Sequence, residues 1–335
     1  RIGSSAASDV YKRQPLVRAL LAGPALTGSW MGPLSPTSTF CLLIEDALSG
    51  SEVVGGPAGL CHALITAAEA AGVTFSIGKR VNALLSEGNR VSGATIEDNE
   101  HIEAKAILST LGPKRTCLDL LEPGLLSPSV ESEISNIRTR GMIAKVHLGI
   151  RGELRFKGHP EGHFERIWVG PHPHDYERAF DDVRLREMPR RPVLDIRVPT
   201  CSDPSLAPDG HHVLSVLAHG AGRALKGGWS DEASAALLDN TLSTLEDYAP
   251  GISEQVIARQ IMTPADLSEV FGLPDGHVYH GEVAVDQMWA LRPSMRSSGH
   301  QVGIDGLWLG STGAHGGGAL SCAAGAFAAA ALRAH

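Results

Sequence analysis

The chain is predicted to be a mixed α/β protein, α+β in character, of about two domains. Three observations carry that prediction. The 335 residues are 43% hydrophobic and 20% charged, with mean hydropathy −0.01, an ordinary globular balance at this length. Between residues 81 and 113, apolar runs are separated by Gly- and Asn-containing turns, the pattern of a β-meander. On either side of it, apolar residues recur at helical spacing with cap and stop residues at their ends.

The elements follow in chain order. Ser4–Gln14 reads SSAASDVYKRQ and resembles the frame translation of a sequencing-library adapter. Residues 1–14 are therefore set aside as a disordered artefact, and the chain is expected to be N-terminally truncated. Pro15–Leu48 reads as helical pieces around a Pro- and Gly-fixed loop at 32–39. Gly55-Gly56-Pro57 opens a helix over Leu60–Ala71 that stops at Gly72. Val73–Ile77 reads as a short strand, and Val81–Leu85 and Arg90–Ile96 as two more joined by Glu87-Gly88-Asn89. After a second turn at Asp98-Asn99-Glu100, Ala104–Ser109 reads as a buried strand running into Thr110-Leu111-Gly112-Pro113. From Lys114 to Gly299, helical pieces such as Asp231–Tyr248, with Ser230 as N-cap, alternate with strand-like Ala144–Ile150, Val193–Pro199 and His212–Ala218. The charged, His-, Gly- and Pro-bearing stretch Phe156–Arg191 reads as an irregular surface excursion. Gly306–Gly310 is a strand, followed by a Gly-rich turn and the helix Ala323–Ala334.

Composition excludes several functions. A net charge of −8 argues against nucleic acid as a partner, since phosphate binding needs a basic face. No apolar run is long enough to span a bilayer; Ala323–Leu332 is too short and is broken by Gly325. Peripheral membrane contact is left open, and so is the oligomeric state. Cys41, Cys61, Cys117, Cys201 and Cys322 are odd in number and contain no C-x-x-C pair, which argues against a redox dithiol and fits a reducing, cytoplasmic setting. His159, His163, His172 and His174 match no standard zinc spacing and read as a solvated loop; no metal is expected. His211-His212 would point to opposite faces of a strand. There is no G-x-S-x-G elbow and no P-loop, and Pro189 and Pro192 deny regular structure to Arg190-Arg191.

The C-terminal segment is richer. A strand ending at Gly310, the turn Ser311–Gly318 and a helix of small residues make a surface where backbone N–H groups and a helix N-terminus could accept an anion or a ring. A plain tight turn into an Ala-rich helix explains the same residues, and local pattern leaves the two readings even.

Several blocks then appear in a familiar order: Ser35-Pro36-Thr37-Ser38, Gly55-Gly56 before the Leu60 helix, Val81 to Pro113, Leu206-Ala207-Pro208-Asp209-Gly210-His211, Thr263-Pro264-Ala265-Asp266-Leu267, His280-Gly281-Glu282 with Asp286-Gln287 and Arg292-Pro293, and the terminal turn. In this order, from about Leu16 to Ala334, the chain resembles the phytoene desaturase and carotenoid isomerase group of FAD oxidoreductases. The resemblance implies a partial FAD-binding domain of the flavin amine oxidase/desaturase type, interleaved with a substrate domain and lacking its first βαβ nucleotide-binding unit. FAD segments would span 51–115 and 306–335, and substrate-domain segments 15–50 and 116–305. Implied FAD contacts are Val81, Ser109, Thr110, Leu111, Gly310, Ser311, His315, Gly316, Gly317, Gly318 and Ala323. His280, Asp286, Gln287 and Arg292 are candidates for a substrate-side polar cluster, or for a structural hydrogen-bond network beneath the flavin, with His280, Gln287 and Arg292 as the catalytic candidates. The chain departs from the group's pattern at Gly316 (for Pro), Cys322 (for Gly), Ala326-Phe327 (for Arg-Asn), Thr110 (for Asn) and Pro57-Ala58 (for Met-Gly). The implied activity is hydride transfer from an apolar, polyene or lipid-like substrate to flavin, as a desaturase, dehydrogenase or isomerase. The alternatives are a flavin-binding partner without turnover, or a truncated chain without function.

Overall fold

A computed structural model of the chain describes residues 14–48, 55–158, 165–297, 300–318 and 321–334. Nearly all of the adapter-like segment, with His159 and His163, lies outside them. In chain order the helices and strands begin with α1 (Pro15–Leu26), α2 (Ser38–Leu48), α3 (Gly56–Ala70), β1 (Val81–Glu87), β2 (Arg90–Ile96), β3 (His101–Glu103) and β4 (Ile107–Ser109). They continue through α4 (Pro128–Ser135), β5 (Ile143–Arg151), β6 (Arg166–Val169), α5 (Pro173–Leu185), β7 (Val193–Arg197) and β8 (His211–His219). The last are α6 (Asp231–Glu246), β9 (Val256–Met262), α7 (Pro264–Phe271), β10 (Leu307–Leu309) and α8 (Ala323–Ala334). The protein is a mixed α/β chain in two compact units. One holds the described residues of 1–47 and 140–278, the other those of 48–139 and 279–335.

The first unit is built on an antiparallel sheet in the order β6-β7-β8-β5-β9. β5 and β8 pair in unbroken register from Ile143↔His219 to Arg151↔His211. Strand alternation sends Ala144, Val146, Leu148, Leu194, Ile196, Leu214, Val216 and Ala218 to one face, where they share a core with Leu237 and Leu245 of α6. Each large aliphatic side chain so buried contributes about 1.5–3 kcal/mol. α6 starts where expected, the Ser230 hydroxyl accepting from the Ala233 N–H. The T-P-x-D-L block is a capping box: Thr263 Oγ1 accepts from the Asp266 N–H, the Asp266 carboxylate accepts from the Thr263 N–H, and Pro264 occupies the first turn.

The stretch 156–191 corrects the expectation of an irregular excursion. It contains edge strand β6 and the full helix α5. His172 caps α5 reciprocally with Asp175, and Tyr176, Ala179, Phe180 and Val183 form a buried i, i+3, i+4, i+7 stripe. Charged residues on the outer face hide that stripe.

The second unit contains an antiparallel meander, β1-β2-β3, and a parallel pair, β4 with β10. The Val91 N–H donates to the Asp305 carbonyl and ties the meander to the approach of β10. Leu84, Val91, Cys117, Leu120, Leu121, Ile134, Ile137, Val302, Ile304, Leu307 and Leu309 share one core. That core sets boundaries other than those expected: residues 116–139 and 279–305 pack in this unit, not with 140–278. Two strand expectations also change. Val73–Ile77 is not a strand; Val73, Phe75 and Ile77 are exposed, and no strand among the described residues offers them a ladder. The buried strand 104–109 shortens to β4 and is half-buried, because among the described residues β10 alone pairs with it.

Candidate functional site

Every residue singled out as a cofactor or catalytic candidate falls in the second unit. Val81 opens β1, pairs with Ile96 and packs on the shared core; the opposite edge of β1 has no ladder partner among the described residues. The other candidates gather where the parallel strands β4 and β10 end side by side. The Gly310 N–H donates to the Ser109 carbonyl at 2.8 Å, carrying the ladder one step past the strands. Ser109 Oγ sits 2.7 Å from Thr116 Oγ1 and accepts from the Leu111 N–H at 3.3 Å. This fixes the turn that leaves Thr110 and Leu111 exposed.

After Gly310 the chain folds back on itself. The Gly313 N–H donates to Ser311 Oγ, the Ala314 N–H to the Ser311 carbonyl, the Gly317 N–H to the Ala314 carbonyl and the Gly318 N–H to Thr312 Oγ1. Gly317 is demanded by backbone, and Gly310 is crowded by a side chain. A Cβ on Gly310 would sit 2.7 Å from Leu108 Cδ2, and one on Gly317 would collide with the Thr312 carbonyl. Gly325 and Ala328 of α8 lie against Gly310, so small residues bring the start of the helix close to the strand ends. Ala323 is the first residue of that helix. The His315 Nδ1 is 3.1 Å from the Trp289 carbonyl, and its ring lies 6.0 Å from Phe327. Phe327, at one of the departures, covers Gly316: a Cβ there would be 2.7 Å from its ring.

Beneath the turn lies a polar network. Arg292 is 3% exposed, and its guanidinium donates to the carbonyls of Thr312, Glu282, Gln287, Tyr279 and Gly281. Burial lowers its pKa to about 10. The Gln287 amide accepts from the Arg138 N–H at 2.7 Å and donates to the Arg138 carbonyl at 3.1 Å. Arg138 pairs with Glu282 and Asp286. The polar ends of Gln287 and Arg292 are thus spent on backbone, which gives both a positioning role under the turn. His280 differs. It adopts φ 57°, its Nδ1 is buried without a partner, and its Cβ is 3.1 Å from where a Gly313 side chain would begin. Burial, helped by Arg292, lowers its pKa to about 4, so it is a neutral imidazole at pH 7.

Sequence reading missed three contributors: Thr116, which holds Ser109; Arg138, which anchors Gln287; and His300, whose Nδ1 meets the Leu309 carbonyl at 2.8 Å. The Ser109–Thr116 pair is seven residues apart and near enough to suspect, but Arg138 reaches its partners across 144 residues or more. Elsewhere His172 caps α5 and stacks on His174, and among the described residues no cluster of three His, Cys, Asp or Glu could hold a metal. Among them, too, no helix is long and apolar enough to cross a membrane.

Ligands of open α/β sheets bind outside the carboxyl ends of parallel strands, and helix N-termini favour anions. Both features meet at Ser109–Leu111, Gly310–Gly318 and Ala323. A profile of flavin containing amine oxidoreductases matches residues 6–330. The chain is 30% identical to pyridine nucleotide-disulfide oxidoreductase domain-containing protein 2 of Mus musculus, over 94% of this chain and 57% of that protein. It is 26% identical to a zeta-carotene-forming phytoene desaturase of Myxococcus xanthus, over 72% of this chain and 44% of that protein. It thus spans about half the length of the curated relatives it matches. A crystallised oxidoreductase from Methanosarcina mazei shares the fold at a TM-score of 0.55 and 19% identity, over 84% of this chain and 55% of that one.

Proposed function

The chain belongs to the flavin containing amine oxidoreductase family, and from that premise we propose that it is part of an FAD-dependent oxidoreductase acting on an apolar, polyene or lipid-like substrate in the cytoplasm. The observation that carries this reading is the meeting of a self-bonded glycine turn, two parallel strand ends and the start of α8. The residues present fit a flavin: the glycines bring bare backbone to the surface, Thr110 and Leu111 stand exposed beside them, and the His280 Nδ1 is an orphaned polar atom behind the turn.

On this reading, Ser109–Leu111, Gly310, Ser311 and His315–Gly318 line the cofactor, Val81 meets it through backbone, and Ala323 contributes the helix N-terminus. The flavin, when bound, supplies the acceptor for a hydride from a substrate C–H bond. The protein's share is orientation. Arg292 holds the Thr312 carbonyl, Gln287 holds the segment that delivers Arg138, and neutral His280 adds no charge behind the turn that would hold the flavin. A flavin-binding partner without turnover is the second reading, favoured by Phe327 over Gly316 and by the lack of spare side-chain donors on Gln287 and Arg292.

The test is flavin content of the purified chain refolded with FAD. Roughly one flavin per chain is expected, and Gly317→Ala should lose it because its Cβ would collide with the Thr312 carbonyl and reshape the turn. Well-folded protein that stays colourless sinks the reading. Anaerobic photoreduction followed by trials of oxidants and apolar substrates separates the enzyme, which exchanges electrons with one of them, from the binder, which does not.

A further inference from the structure

The face of the first unit's sheet opposite its apolar core is polar, buried at Asp195 and His219, half-buried at Lys145, His147 and Ser215, and exposed at Arg166, Arg197 and Gln260. The strand register defines it. Met262, Lys145, Leu217, Asp195 and Trp168 lie side by side in one row, and Gln260, His147, Ser215, Arg197 and Arg166 in the next. His219 stands one row beyond Leu217, beside Val193. A polar second face is ordinary in an antiparallel sheet when it meets water. Here Asp195 is 4% exposed, His219 3% and Tyr176, over the same region, 4%. Among the described residues the His219 Nε2 and the Tyr176 hydroxyl have no hydrogen-bond partner.

Among the described residues, the charges on this face are partnered unevenly. Asp195 is held by both arms of the Arg166 guanidinium, at 2.8 and 2.9 Å. Glu45, from α2, feels both Arg166 and Arg197. Lys145 remains. It sits on the central strand β5, mostly out of water, and its Nζ donates to Ser215 Oγ at 2.6 Å. None of the carboxylates among the described residues forms an ion pair with it. Burial lowers its pKa, and Arg197 works in the same direction against the pull of Asp195. A desolvated ammonium with one hydroxyl for company is costly unless something else completes its shell.

We propose that Lys145, with Ser215 and His147, forms a subsite for a single carboxylate on a molecule with a hydrocarbon body. Lys145 brings one positive charge that no carboxylate among the described residues pairs, which favours one negative charge over the two of a phosphate monoester. Lys145 supplies the charge and the Ser215 hydroxyl a second donor. His147, whose pKa is lowered by burial and by Lys145, is a neutral neighbour with a ring N–H to offer. Leu217, Met262 and Trp168 share the same face and give the hydrocarbon something to lie on. The subsite rests on the proposed apolar substrate and on the expectation that residues 140–278 belong to the substrate domain, and it narrows that reading: the apolar substrate ends in a carboxylate.

Decanoate, decanol, decylamine and inorganic phosphate are titrated into the full chain by calorimetry, with flavin content read separately on the same samples. Decanoate is expected to bind. Lys145→Met should weaken it by at least about tenfold, the value of a charge-assisted contact, and leave decanol unchanged; Lys145→Arg should restore most of the affinity. Circular dichroism checks that each variant is folded, and Lys145→Gln replaces Lys145→Met if the latter is not. Equal decanoate affinity in wild type and in the folded neutral variant overturns the proposal. So does absence of decanoate binding, or binding of decanol, decylamine or phosphate as tight as that of decanoate. Decanoate binding by colourless protein would leave the subsite standing and the flavin reading fallen; the reverse result would do the opposite.

Discussion

His219 shows what one buried side chain does to the pH dependence of the whole chain. Its ring lies within 5.9 Å of Trp168, and its Nε2 is unpartnered. Burial dominates its titration and takes the pKa from 6.5 to about 4, with Asp195 opposing and Arg166 assisting. The sign follows from the unfolded state. Unfolded, the imidazole binds its proton as pH falls below 6.5, while the folded ring resists until about 4. Stability is therefore flat above that window and falls through it on acidification, by about 3 kcal/mol if the full shift applies. His280 moves in the same direction and adds to the slope. In His219→Leu the His280 contribution stays, so the difference between variant and wild type isolates His219. Urea midpoints at pH 7 and pH 4 measure it. The variant should lose less stability over that interval; an identical loss would show that the ring is not the group responsible.

At the scale of the element, end signals decide which segments were readable from sequence. The capping box of α7 predicts that Thr263→Ala costs about 1 kcal/mol, and that Thr263→Ser recovers most of it, because only the hydroxyl is needed. A urea midpoint unchanged in the Ala variant would deny the cap its role. Caps and turns are local, and so α6, the β1–β2 hairpin and α8 were all legible near their true bounds. α5 was not, although it too has a cap. Its inward stripe contains an Ala and a Tyr, and Glu177, Arg178, Asp181, Asp182 and Arg184 make the segment read as solvated. Val73–Ile77 failed for the opposite reason: its alternation is local, but a strand also needs a neighbour's backbone, which no local pattern encodes. The candidate site divides the same way. Its glycine turn and the strand ends could be read from spacing, whereas the Arg138–Gln287 and Arg292–Thr312 contacts that brace it depend on tertiary packing.

At the scale of the molecule, each of the two units is built on one large core. The first is centred on the β5–β8 pair and α6, the second on the meander, α4 and β10. All candidate cofactor residues belong to the second, and the Lys145 face belongs to the first. Each core has the makings of its own cooperative unit, which predicts two transitions in calorimetry. Leu237→Ala and Ile134→Ala each empty a fully buried position, one per core, at a cost of about 2–5 kcal/mol. Each should lower one transition and leave the other within error. Ligands sort the same transitions from the opposite side, since whatever binds only the folded form of a unit raises that unit's melting temperature. FAD should raise the transition that Ile134→Ala lowers, and decanoate the one that Leu237→Ala lowers. A single transition shifted by both substitutions would mean that the two cores melt as one. FAD raising the Leu237-sensitive transition would put the cofactor in the wrong unit.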